Sequence, residues 1–156
     1  LAICEYVSER YLDGGGWPAD VRARAQARAC CAEMHAGFAE IRRQLPMNCR
    51  ATGRQVALDG AAQKEITRIA QIWSGYRQMY AATGPWLFGE FSIADCMFAP
   101  VVFRFHTYGI KVPTSAMRYM ERVLHHDAIQ TWTRQAIAES EILATEEVGG
   151  PEQSDV

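Results

Sequence analysis

No apolar stretch in the 156 residues approaches the ~20 that a membrane-spanning helix requires. The N-terminus has neither the basic n-region nor the Ala-x-Ala-like cleavage site of a secretory signal. An excess of charge of one sign is missing too. The net charge is −2 and the pI about 6.1, which speaks against nucleic acid or an anionic membrane as main partner. Five cysteines are present, at 4, 30, 31, 49 and 96, but their number is odd, two are adjacent and none has Cys-x-x-Cys spacing. That is the pattern of neither a disulfide framework nor a zinc site. Inert thiols in a reducing cytoplasm are expected instead. Internal repeats and low-complexity blocks are absent. Runs that alternate apolar and polar residues over a strand's length are nearly absent as well.

Helical periodicity is abundant, and the length is about one domain's worth. "LAICEYVSERY" over residues 1–11 reads as a helix without a cap in front of it, and "LDGGGWPAD" breaks it. Asp20 is placed to cap a long helix over 21–45. Its stripe of Ala27, Cys31, Met34, Phe38, Ile41 and Leu45 follows 4-3-4-3-4 spacing. A second long helix over 61–83 repeats the stripe with Ala62, Ile66, Ile69, Trp73, Tyr76 and Tyr80, so the two are expected to pack as an antiparallel pair. Further helices are expected over 93–107, 115–124 and 128–143, the last capped by Asp127, with a frayed polar tail. The expected class is all-α, one helical bundle.

The segment "GEFSIADCMFAP" (89–100) carries a helix-start device. Ser92 and Asp95 have the spacing of a capping box, in which each side chain bonds the other's backbone N–H. Phe91 and Cys96 stand where a hydrophobic staple would form. The helix that follows is apolar on most sides and therefore central, and Pro100 inside it predicts a kink.

In "GPWLFGEFSIAD", "AEMHAGFAEIRRQLPMNCR" and "APVVFRFHTYG" the chain resembles the helical C-terminal domain of bacterial soluble glutathione transferases. "LAICEYVSERY" resembles the last helix of the thioredoxin-like domain that precedes it in that family. The resemblance spans about 1–143. It implies a remnant helix over 1–12, a linker over 13–19, the transferase helical domain over 20–145 and a disordered tail over 146–156. It also implies glutathione as cosubstrate, a small hydrophobic electrophile as substrate and a homodimer in the parent enzyme. Such a parent conjugates glutathione to electrophiles, or uses it in isomerisation or reduction. Family members place their thiol-activating Ser, Tyr or Cys and their γ-glutamyl contacts before the position matching Leu1. No catalytic residue carries over, and the sequence is expected to be a fragment. A free-standing helical binding or assembly module, without catalysis, is the alternative.

Met34, His35, Phe38 and Arg42 lie where the family lines its cleft for the electrophile. They are the candidate substrate wall, or else Met34 and Phe38 are core beside His35 and Arg42 that are solvated or cap the loop. Asn48 and Arg50 could hold a carboxylate at the exit of that helix, or could satisfy loop carbonyls. "HHD" at 125–127 lacks a nearby third ligand, so no metal is expected. Cys30 and Cys31 sit mid-helix, away from any helix N-terminus that would activate a thiol.

Overall fold

A computed structural model of the chain describes residues 1–150. Among these there are seven α-helices and no strand: α1 (Ala2–Tyr11), α2 (Val21–Ala36), α3 (Ala39–Gln44), α4 (Gly60–Met79), α5 (Ile93–Thr107), α6 (Thr114–Leu124) and α7 (Asp127–Ala138). A 3-10 turn follows at Ala144–Glu146. The all-α expectation holds, and no described helix is long and apolar enough to cross a membrane.

The long helix expected over 21–45 is broken into α2 and α3. All six residues of its stripe are buried, but Phe38 takes a left-handed conformation, φ 60°. Each new helix end is satisfied from elsewhere. Arg42 donates to the Met34 carbonyl at 2.6 Å and the Gly37 carbonyl at 3.4 Å, closing the C-terminus of α2. The Glu65 carboxylate, from α4, accepts from the Ile41 N–H at 2.9 Å and the Glu40 N–H at 3.3 Å, closing the N-terminus of α3. Unpaired helix-end groups are costly, and these tertiary partners remove the cost of the break.

The two long helices run antiparallel: Glu33 pairs with Arg68 at 2.7 Å, and Tyr80 bonds Gln26 near the other end. Their closest backbone partners are nevertheless other helices, α5 for α2 and α6 for α4. The reason is side-chain size. Ala23, Ala27, Cys30 and Cys31 on the buried side of α2 let α5 approach closely. Trp73 of α4 instead meets Phe98, Phe105 and Tyr119 at centroid distances of 5.3–6.0 Å. This aromatic cluster is the centre of the core.

Asp20 caps α2 through the Ala23 N–H at 2.8 Å, as expected. The last helix is capped differently, since His126 Nδ1, not Asp127, accepts from the Ala128 N–H. Before α5 the loop closes on itself through reciprocal Trp86–Gly89 backbone bonds of 3.0 and 3.1 Å. Gly89 has φ 95°, and a Cβ there would stand 2.3 Å from Thr83 Oγ1, so only glycine fits. α5 itself continues through Pro100. Within the tail expected to fray, Glu147 is held by Asn48 and Arg54, and the Gly149 carbonyl accepts from Gln55. The rest of that expectation, over 151–156, lies outside the described residues.

Candidate functional site

Asp95 organises the start of α5. It is 1% exposed. Its carboxylate accepts from the Ser92 N–H at 2.9 Å and, at 3.2 Å each, from the Leu87 N–H, the Ser92 hydroxyl and the Tyr119 hydroxyl. The Ser92 side chain faces the Asp95 N–H and completes the box, while that N–H also bonds the Ser92 carbonyl at 3.0 Å. Burial pushes the Asp95 carboxyl above its usual range, against the pull of these hydrogen bonds. The Tyr119 phenol, fully enclosed, is pushed up by burial and then by the neighbouring Asp95 charge. Phe91 does not simply staple the helix. Its ring stacks on His126, 4.7 Å between centroids, and meets Trp86 edge-on at 5.0 Å.

One face of α5 and the α2–α3 elbow enclose a groove of about 300 Å³. Met34 and His35 come from the end of α2 and Arg42 from α3. Met97, Pro100 and Arg104 come from α5, with Cys96 at the rim. The groove thus joins three of the sequence-derived candidates, Met34, His35 and Arg42. Phe38 is separate: it is buried in the core at the elbow. Asn48 and Arg50 are elsewhere. The Asn48 amide donates to Glu147 at 2.9 Å, and its oxygen accepts from the N–H groups of Arg50 and Ala51. The Arg50 guanidinium reaches the carbonyls of Glu139 and Glu141 and the Glu147 carboxylate. Both residues strap the C-terminal segment to the loop after α3.

The α5 side of the groove went unread in the sequence. Met97, Pro100 and Arg104 recur at spacings of three and four on one helix face, a signal available there. It was hidden because this helix is apolar on nearly every side.

Both guanidiniums at the groove are committed to backbone: Arg42 to the end of α2, Arg104 to the carbonyls of Arg42 and Leu45 at the end of α3. Burial, then the Arg42 charge, lowers the Arg104 pKa. Three of the thiols are shifted away from the reactive thiolate. Cys31 is pushed up by its hydrogen bond with Cys30 and by burial, and Cys49 by burial alone. Cys96 belongs to a residue exposed at the rim, yet its sulfur is desolvated enough to be pushed up to about 11.

Residues 23–122 match the family model of the glutathione S-transferase C-terminal domain. The chain belongs to this family. In it, α5 is the central helix that opens with the Ser92–Asp95 box, and the groove lies along its outer face. A solved structure of a glutathione transferase homolog from Burkholderia gl BGR1, with bound glutathione, superposes with a TM-score of 0.62 at 26% identity, over 88% of this chain. The chain spans 65% of that structure's length. No curated protein matches the chain.

Proposed function

We propose that this transferase-family domain is the substrate side of a glutathione transferase. In this reading the groove between the α2–α3 elbow and α5 forms the wall against which a small apolar electrophile rests. The observation that carries the reading is the lining itself: half-buried Met97 and Pro100, backed by the buried Met34, give an adaptable apolar surface beside the exposed polar side chains of His35 and Arg42. α1 packs on the same core through Leu1 and Cys4. Ile3, Tyr6 and Tyr11 on α1 are exposed, as expected of a helix that serves a larger assembly, including the homodimer of a parent enzyme.

The groove fits the electrophile and not the γ-glutamyl end of glutathione. Its two guanidiniums are spent on backbone carbonyls, so they offer no carboxylate cradle. Its thiol is held protonated at neutral pH. Thiol activation and the main glutathione contacts therefore belong, in this proposal, to a thioredoxin-like domain of the whole enzyme. This chain positions the electrophile and excludes water from it.

Steady-state kinetics of the whole transferase with a chloronitroaryl electrophile test the assignment. Placing a charge on the wall with Met97→Glu should raise KM for the electrophile roughly tenfold or more, given the ~1.5–3 kcal/mol of a buried apolar side chain. The KM for glutathione should stay unchanged. An unaltered electrophile KM, or a change confined to glutathione, would overturn the assignment.

A further inference from the structure

A second cleft, of about 460 Å³, opens between α4 and α6 and shares no residue with the groove. Three guanidiniums line it: Arg77 from α4, Arg118 and Arg122 from α6. So do the hydroxyls of Ser74 and Ser115, 2.7 Å apart across the two helices. No Asp or Glu is among its lining residues. Among the described residues no carboxylate lies within 4.0 Å of any of the three arginines.

Concentrating three like charges on a chain whose net charge is −2 is unfavourable without a counter-charge. Two of the three positions are nonetheless held. Arg77 donates to the carbonyls of Gly84 and Trp86 in the closed loop, and Arg122 lies over the Trp86 ring, 5.8 Å from its centroid. Arg77 is lowered in pKa by burial and then by repulsion from Arg122, with the buried Asp95 charge opposing both, and an anion seated between the two arginines would relieve their repulsion. α6 begins beside the cleft with no side-chain cap at Pro113, which leaves its positive end turned to the Ser115 side.

We propose that this cleft binds the phosphate of a small organic phosphate monoester. A monoester dianion carries three terminal oxygens and nearly two charges, matching the donor forks of Arg118 and Arg122 and the Ser74–Ser115 hydroxyl pair, with Arg77, held to the loop carbonyls, adding a third positive charge. A monocarboxylate would neutralise only one charge. The cleft exceeds the size of a lone phosphate. Past Arg118 and Arg122, which line both, lies a hollow bordered by Trp86, Glu121, His125, His126 and Asp127. That hollow gives the organic part a place and disfavours a second anionic group there.

Calorimetric titration of the protein with phenyl phosphate, inorganic phosphate and benzoate at matched ionic strength decides the matter. Phenyl phosphate should bind saturably, with a Kd below about 1 mM, and inorganic phosphate and benzoate more weakly. Arg118→Gln and Arg122→Gln should each weaken it roughly tenfold or more. Arg118→Lys, which keeps the charge, should recover part of the loss. Neither side chain closes a helix end, and circular dichroism of each variant checks that the fold is retained. Affinity unchanged in both glutamine variants, benzoate binding as tightly as phenyl phosphate, or no saturation by ~10 mM would overturn the site. Inorganic phosphate binding as tightly as the ester would overturn the assignment of an ester.

Discussion

Replacing Asp95 by alanine removes one carboxylate and strands several donors at once. Two of them are buried N–H groups, of Leu87 and Ser92, and the other two are the hydroxyls of Ser92 and of the enclosed Tyr119. An unsatisfied buried donor costs ~1–3 kcal/mol. Against this, the variant no longer buries a carboxyl whose pKa is raised by burial. Net of that gain, stranding the donors costs about 3–5 kcal/mol, or about 6–20 °C in a domain of this size. Ser92→Ala should cost less, ~0.5–2 kcal/mol. Asp95→Asn keeps an acceptor and should fall between. The sign of the pH effect follows from the raised pKa. An acid whose folded pKa lies above its unfolded value of ~3.9 contributes most when protonated, and that contribution is lost as pH rises through the folded value. The stability of the native protein minus that of Asp95→Asn should therefore fall between pH 4 and pH 7. Urea denaturation at pH 4, 5.5 and 7 reads it directly. A loss below 1 kcal/mol in Asp95→Ala, or a difference that grows with pH, would refute the account.

Three further outcomes are expected. The exposed α1 residues Ile3, Tyr6 and Tyr11 should make the isolated chain self-associate at ~100 μM, a concentration at which even a modest interface forms; Ile3→Glu with Tyr6→Glu should restore monomers in light scattering, and equal behaviour of both proteins would oppose it. Glu147→Ala should release the strap held by Asn48, Arg50 and Arg54, at a cost of about 1–2 kcal/mol, seen as faster hydrogen exchange over 139–150 and not in α4. Cys96, pushed up to about 11, should alkylate at pH 7.5 about 300-fold more slowly than an ordinary thiol of pKa ~8.5, and labelling at the free-thiol rate would contradict its desolvation.

Periodicity and capping chemistry are local, and the sequence carried them. The stripe on α2 and α3 and the first four residues of that on α4 are buried, while Tyr76 and Tyr80 are only half-buried; Asp20 and Ser92–Asp95 mark two helix starts correctly, and the family resemblance rests on contiguous words such as "GEFSIAD". The break at Phe38 was beyond it, because the 4-3-4 spacing suits a straight helix equally well. Glu65 and Arg42, which satisfy the new ends, reach them only once α4 is packed. The same holds for the candidate site. Met34, His35 and Arg42 share a groove because α5 lies across them, and α5 lies there because α2 presents alanines and cysteines. Asn48 and Arg50 had the chemistry of a carboxylate site, but Glu147, nearly a hundred residues away in the chain, supplied the carboxylate. Hydrogen-bonding capacity is written in a residue type; the partner that uses it is decided by which distant segments the folded core brings within 3 Å.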